Sequence, residues 1–406
     1  MIELTRTRKI AITSQVYLGK ARTAYTGYVK RNPLALLALH PGHINPYPQY
    51  ERLRARGTLN PTELGDWLTT SYRVSDAVLR DRRFGMASVN PSFLGMNPPD
   101  HTRLRRLAAP AFSPKAVNTY AGRIERVASQ LLDEAARKGE FDLISAVAAP
   151  LPIAVITALL GIPDSDAERF VRYGVVLGES ALGIRSLRQA AELHEVLTEL
   201  EQLFHRLFAL RRAEPGDDVV SQIVAAEGDQ IKPGEMMEIC KLLLIAGYEN
   251  TVNLIGSGVM ALLSHPEQWK TLCADPEGVS PKVVEETLRY DPPVHLASRQ
   301  VLEPMELEGQ QVRAGQKIVP LLAAANRDPE VYENPATFDL DRDNPPPHLA
   351  FASGIHYCLG APLATLEGRI AFRLIAERMP GLRQVGPVKL RNSLVIRGPR
   401  SLPVAC

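Results

Sequence analysis

Residues 351–360 read Phe351-Ala352-Ser353-Gly354-Ile355-His356-Tyr357-Cys358-Leu359-Gly360. A cysteine between glycines, after a phenylalanine, suits a tight loop that leads into a helix. Gly354 and Gly360 permit backbone angles and close approaches that a side chain would block. A sulfur held there can accept backbone N–H bonds, and a helix N-terminus favours its anionic form. Taken alone, Cys358 has other readings. It could be a small core residue or a nucleophile, although His356 stands only two residues away. A zinc site would need more ligands.

Working outward, Glu286-Thr287-Leu288-Arg289 places an acid and an arginine on one helix face, a pair worth about 0.2–0.5 kcal/mol at a surface. Pro335, Phe338 and Arg342 follow it in the chain. The stretch Glu235 to Ser264 is long and apolar. Lys241, Glu249, Asn250, Thr251 and Asn253 interrupt it, so it fits a buried helix better than a membrane span. Within it, Ala246-Gly247 lets another body approach closely, and an acid beside a polar residue can break the helix bonding and hold water. In Asp100-His101-Thr102-Arg103-Leu104-Arg105-Arg106, His101 and Arg105 are four apart and project together. That cluster alone reads as a solvated basic face.

Periodicity is helical from Pro114 to about Ala225, clearest over Arg123 to Leu132 and Leu193 to Leu210. Helix starts are expected at Ser113-Pro114 and Ser280-Pro281, and a capping box at Ser264-His265-Pro266-Glu267. Strand-like segments come late: Ser298 to Leu302, Met305 to Leu307, Lys317 to Leu322, Ser393 to Ile396 and Ser401 to Val404. Short strands also flank Trp67 to Tyr72. The expected fold is mainly α with a minor antiparallel β region. No strong linker is visible, so residues 46–406 read as a single domain behind a basic extension, residues 1–45.

Lys plus Arg is 47 and Asp plus Glu is 45, a net charge of +2 that gives no argument for nucleic acid. Four scattered cysteines, Cys240, Cys273, Cys358 and Cys406, argue against a disulfide framework and for a reducing, cytoplasmic setting. No apolar run reaches the length of a transmembrane segment, and no signal-peptide layout is present. The first forty residues carry Arg6, Arg8, Lys9, Lys20, Arg22, Lys30 and Arg31 against Glu3 alone. This arm is open to three readings: a solvated extension, weak contact with an anionic membrane surface, or a transit peptide.

The pattern Phe351, Gly354, His356, Cys358, Gly360 resembles the haem-binding loop of the cytochrome P450 family. Ala361-Pro362-Leu363-Ala364 and Glu367 resemble the helix that follows in bacterial members, and Asn326-Arg327-Asp328-Pro329 and Asp81-Arg82-Arg83-Phe84 also match. The resemblance covers the chain from about Pro46 to the C-terminus. It implies a triangular helical prism with a small sheet region, and haem b with Cys358 as the sulfur ligand. Such ligation pushes electron density onto iron and favours O–O cleavage. It implies propionate contacts from His101, Arg105, Arg299 and His356, and a buried structural set of Glu286, Arg289 and Arg342. Ala352 stands where the family commonly has glycine, so a modest backbone adjustment is expected.

The resemblance also implies that Ala246-Gly247-Tyr248-Glu249-Asn250-Thr251 is the oxygen-activation segment, with Ala246 and Gly247 beside the haem and Glu249 as the acid. Asn250 stands where the usual threonine would be. Thr251 comes one residue later, about 100° around the helix, and cannot simply substitute. The implied activity is insertion of one oxygen atom from O2 into an apolar small-molecule substrate. Electrons would come from a separate ferredoxin or flavodoxin-type donor with its reductase, and Arg103, Arg106, Lys115 and Arg369 are the docking candidates. Substrate contacts are expected from Met86, Phe93, Leu243, Ala246, Val294, Ala297 and Val395, with His295 either a polar anchor or a satisfied structural histidine. Two alternatives stand beside this reading: a peroxide-driven or otherwise non-standard haem-thiolate enzyme, suggested by Asn250, and a non-catalytic haem sensor or carrier.

Overall fold

The computed structural model describes residues 14, 17–39, 42, 44–62, 65–87, 93–163, 166–181, 184, 186–228 and 231–406. Glu3, Arg6, Arg8 and Lys9 lie outside the described residues, as does the side chain of Phe93. Helices dominate. They include Ala121–Ala136, Pro150–Leu159, Leu187–Ala213, Pro233–Ser264, Pro276–Tyr290 and Ala361–Arg378. The axis of the fold is Pro233–Ser264, whose side chains from Met236 to Leu262 are mostly buried in one large cluster. Pro150–Leu159, Ala167–Ala181, Pro276–Tyr290 and Ala361–Arg378 pack against it. At Gly258 an added Cβ would lie 2.3 Å from Phe372 Cζ, so the glycine is what lets the phenylalanine ring of Ala361–Arg378 approach the axis.

Helix starts follow the chain's capping chemistry, with two corrections. Ser113 Oγ accepts the Ala116 N–H at 3.3 Å with Pro114 in the first turn. Ser280-Pro281, by contrast, starts nothing. The helix begins earlier at Pro276, where the Asp275 side chain accepts the Gly278 N–H at 3.0 Å, and Pro281 lies inside it. Pro281 has no N–H for the Glu277 carbonyl, and Ser280 Oγ approaches that oxygen at 3.5 Å. Ser264 caps nothing either. Its hydroxyl turns back to Met260 O at 2.8 Å as the last residue of the long helix, and His265 caps the next helix without a side-chain bond.

The sheets are small. The largest runs in the order Asn60–Pro61, Trp67–Thr69, Lys317–Pro320, Arg299–Val301, Phe84–Gly85. It is antiparallel except where Trp67–Thr69 runs parallel to Lys317–Pro320, with Trp67 opposite Ile318. Met305–Leu307 and Gln310–Val312 form a hairpin closed by Glu308 and Gly309, both at positive φ. Ser393 to Ile396 is not a strand: only Ile396 bridges, to Val294, and the tail pairs instead through Lys389–Leu390, Pro399–Ser401 and Pro403–Ala405. Packing onto the body begins before Pro46, since Leu37 is buried in a cluster with Tyr50, Leu53 and Leu68. Among the described residues no helix is long and apolar enough to cross a membrane.

The segment before the cysteine loop is clamped by Glu286 and Arg289, both buried. Arg289 grips the Glu286 carboxylate with two bonds of 2.7 Å, and donates also to the carbonyls of Asn326, Pro335 and Thr337. Arg342 lies 3.6 Å from Glu286 Oε1 and donates to Thr337 O. Glu286 Oε1 in turn accepts the Asp339 N–H at 2.9 Å. A buried pair of this kind is costly to break, because the remaining partner is left charged and unpaired. Arg289→Met is therefore expected to lower the free energy of unfolding by roughly 3–5 kcal/mol. Lys270→Met, at the exposed Lys270–Glu267 pair, should change it by less than about 0.5 kcal/mol. Denaturant midpoints of the two variants decide it, and equal effects would remove burial as the cause.

Candidate functional site

The cysteine loop is held tightly at its backbone. The Cys358 N–H donates to Phe351 O at 2.9 Å, and Ala352 N–H to Leu349 O at 2.9 Å. Gly354 has φ +70, and a Cβ there would meet the Leu79 carbonyl oxygen at 2.4 Å, so only glycine fits. Ala352 shows no backbone escape. It takes φ 58 as an alanine, a left-handed conformation that costs roughly 1–2 kcal/mol. Cys358 keeps a solvent-accessible face. Burial by the surrounding protein pushes its thiol up, while the backbone N–H groups of Gly360 and Ala361 and the charge of Arg105 act to bring it down. These donors lie where the loop enters the helix Ala361–Arg378.

Beside the loop, four donor side chains converge from three parts of the chain. His101 and Arg105 come from the helix Asp100–Ala108, Arg299 from the strand Arg299–Val301, and His356 from the loop itself. The His101 and His356 rings are 4.1 Å apart. Neither ring nitrogen of His101, nor Nε2 of His356, has a partner among the described residues. Among the described residues Arg299 donates to Met86 Sδ at 3.3 Å and to its neighbour Ser298 O, and pairs with no carboxylate. Arg105 donates to Tyr357 O at 2.5 Å. Burial brings the Arg299 guanidinium down to about 10. Burial, then the charges of Arg299, His101 and Arg105, brings His356 down to about 3. His101 is lowered by burial and by the two arginines. Two guanidiniums without a described carboxylate, beside histidine nitrogens without a described partner, are a site for an anionic partner.

On the long helix, Ala246 is exposed in the middle of an otherwise buried run, and Asn250 lies one turn on. Asn250 Nδ2 donates to Ala246 O at 3.3 Å, and its Oδ1 has no partner among the described residues. Thr251 points elsewhere. It is buried, its hydroxyl donates to Gly247 O at 3.2 Å, and it hydrogen-bonds the Glu367 carboxyl on the helix Ala361–Arg378. Glu249 is buried and turned to another side again, 3.2 Å from Arg391 Nη1 and 3.5 Å from Asn253 Nδ2. Arg391 also donates to Asn253 Oδ1 at 2.9 Å.

Two residues of this neighbourhood were given no role in the sequence. Arg391 carries no local signal, since it lies in the tail and meets Glu249 only through the fold. Glu367 does carry one: it interrupts the apolar stripe Leu363, Ile370, Ala371, Leu374 at helical spacing.

Of the expected substrate contacts, Val294 and Ala297 are part-buried beside Leu79, Leu322, Ala325 and Leu349. Val395 is 41% exposed and accepts the His295 N–H through its carbonyl. Leu243 is a core residue, and Met86 is engaged by Arg299. His295 is buried, with Tyr50 Oη 3.0 Å from Nδ1 and Asp291 3.3 Å from Nε2, which makes it structural and not an anchor. Of the docking candidates, Arg103 is already paired, with Glu235 at 2.7 Å and Asp100 at 3.0 Å. Arg106, Lys115 and Arg369 are exposed. Arg369 lines a cleft of about 350 Å³ on the outer side of the cysteine loop, with Pro114, Phe351 and Tyr357.

Comparison with known proteins places this geometry. The cytochrome P450 family model matches residues 279–378. The chain is 35% identical over 396 residues to the polyketide biosynthesis cytochrome P450 PksS of Bacillus subtilis, covering 89% of this chain and 96% of that protein. It is 38% identical over 388 residues to the cytochrome P450 monooxygenase PikC of Streptomyces venezuelae, covering 89% and 91%. The ligand-free crystal structure of Mycobacterium smegmatis CYP164A2 aligns with TM-score 0.83 at 38% identity over 92% of this chain and 99% of that one. The chain belongs to the cytochrome P450 family and is a haem monooxygenase. The orphaned donors of His101 and His356, with Arg105 and Arg299, fit the two propionates of such a cofactor.

Burial raises the Glu367 carboxyl to about 8, opposed only by the Thr251 bond. Its folded pKa thus lies above the ordinary carboxylate value, so the native state holds a proton that the unfolded chain releases. Stability from this group is present below about pH 4.5 and is lost as pH rises towards 8. Glu367→Gln should therefore be the more stable protein at pH 8 by on the order of a few kcal/mol, with little difference at pH 5. Melting temperatures of the two across that window test this, and parallel curves would show that Glu367 is ionised in the native state.

Proposed function

We propose that this enzyme inserts one oxygen atom from O2 into an apolar small-molecule substrate, using haem b and electrons from a separate ferredoxin or flavodoxin-type donor with its reductase. One observation carries the reading. A cysteine sulfur with backbone N–H donors stands beside four donor side chains, His101 and Arg299 buried and Arg105 and His356 part-buried, that have no acid among the described residues. Cys358 Sγ would be the iron ligand, and His101, Arg105, Arg299 and His356 would hold the propionates. Bound there, haem supplies the oxygen chemistry. The protein's own work is orientation, exclusion of water and handling of protons. Val294, Ala297 and Val395 would contact substrate, together with Ala246 on the helix. Arg106, Lys115 and Arg369, which are exposed, would meet the electron donor.

Proton handling rests on three side chains that point in different directions. Asn250, one turn from exposed Ala246, offers an amide with a free oxygen and can hold a water by accepting and donating at once. Glu249 is fixed by Arg391 and Asn253. Thr251 is tied to Glu367, whose carboxyl burial raises to about 8 behind the helix. In this reading Asn250 is the residue at the reacting side. A second reading, peroxide-driven turnover, draws on the same residue, because Asn250 has no hydroxyl. Product yield with NADH and surrogate redox proteins, compared with yield from peroxide alone, separates the two.

Two outcomes are expected. Reduced protein with carbon monoxide should show the strongly red-shifted Soret band of thiolate ligation, and Cys358→His should abolish it. A histidine-type spectrum in the unaltered protein would sink the proposal. Asn250→Ala should raise peroxide released per NADH consumed more than it lowers NADH consumption, Asn250→Thr should be tolerated, and Thr251→Ala should uncouple less. If Thr251→Ala uncouples and Asn250→Ala does not, the relay runs through Thr251 and Glu367.

A further inference from the structure

Along residues 17–29 the large apolar side chains face outward. Tyr17, Leu18, Tyr25, Tyr28 and Val29 are 68%, 69%, 55%, 55% and 63% exposed. Positions 17, 18, 21 and 25 fall on one arc of an α-helix, and the helix widens to a π turn over Tyr25–Val29. The other side is anchored. Gly27 is buried, and a Cβ there would lie 2.5 Å from Leu39 Cδ1. Asn32 N–H donates to Thr26 O at 3.0 Å, and Asn32 Oδ1 caps the next helix, Pro33–Ala38, through Ala35 N–H. That helix inserts Leu37 into the core. The apolar face is therefore presented outward by packing.

Its flanks are basic. Lys20, Arg22, Lys30 and Arg31 are exposed, and none forms an ion pair with a described carboxylate within the distances that hold elsewhere in the chain. Arg6, Arg8 and Lys9 precede them in sequence, with Glu3 as the lone acid. The whole chain carries only +2, so this positive charge is concentrated at one end and is not a general feature of the surface. A second copy of the same face would bring these cations together. An anionic bilayer surface complements both features, since tyrosines suit the headgroup level and each basic residue there adds roughly 1 kcal/mol. The segment is too short to span.

We propose that residues 17–31 dock the enzyme peripherally on an anionic lipid bilayer, with Tyr17, Leu18, Tyr25, Tyr28 and Val29 at the headgroup–acyl boundary and the four cations among the headgroups. Full-length haem-loaded protein is floated with vesicles of phosphatidylcholine alone or with equal parts phosphatidylglycerol. Binding is expected only to the second, weakening as salt is raised. Lys20→Gln, Arg22→Gln and Lys30→Gln together should lower partitioning on the order of a hundredfold, and Leu18→Ser, Tyr25→Ser and Val29→Ser together by at least about tenfold. Both variants should keep the carbon monoxide spectrum of the parent, which shows that the body is folded. The proposal is overturned if the parent does not float with anionic vesicles, or if neither triple variant reduces binding. It is equally overturned if the parent sediments as a dimer that the serine variant dissociates, since the face is then covered by a second copy.

Discussion

Four donors crowded together, two buried and two part-buried, without an acid among the described residues, are an electrostatic strain that the fold can hold only by rigid support. His101 and His356 stand ring against ring, and Arg299 and Arg105 add positive charge around them. Each comes from an element fixed by something else. The Arg299–Val301 strand is held between Lys317–Pro320 and Phe84–Gly85, the Asp100–Ala108 helix is tied by Arg103 to Glu235, and the loop is set by Gly354 under the Leu79 carbonyl. An anionic cofactor bound there would resolve the crowding, and its binding would then be linked to the stability of this corner.

The cysteine loop depends on the same logic one layer out. Its approach segment is clamped by Arg289, whose guanidinium serves the Glu286 carboxylate and three carbonyls at once. Ala352 then carries left-handed backbone strain, which persists because the surrounding bonds determine the turn. Backbone strain at Ala352 and the buried Glu286–Arg289 pair behind it both bear on where the loop holds the Cys358 sulfur.

The long helix shows how one stretch of sequence can serve three directions. Glu249, Asn250 and Thr251 are consecutive, so each is turned about 100° from the last. One pairs with the tail through Arg391, one lies on the open side with Ala246, and one backs onto Glu367. Three consecutive polar side chains are thereby kept on separate faces of one helix.

Much of this was legible in the chain itself. The loop around Cys358, the long interrupted apolar helix and the late strands other than Ser393 to Ile396 followed from local chemistry, because glycine angles, helical spacing and alternation are properties of neighbouring residues. Local chemistry also misled where it competed with itself: Ser280-Pro281 looked like a start, yet Asp275 had already capped the helix, and Ser264 spent its hydroxyl on its own helix. Only the tertiary structure decided the partners. That Arg103 is consumed by Glu235, that Arg391 faces Glu249, and that burial raises the Glu367 carboxyl all depend on contacts between distant segments and on burial, and neither charge pairing nor desolvation can be read from a residue's neighbours in sequence.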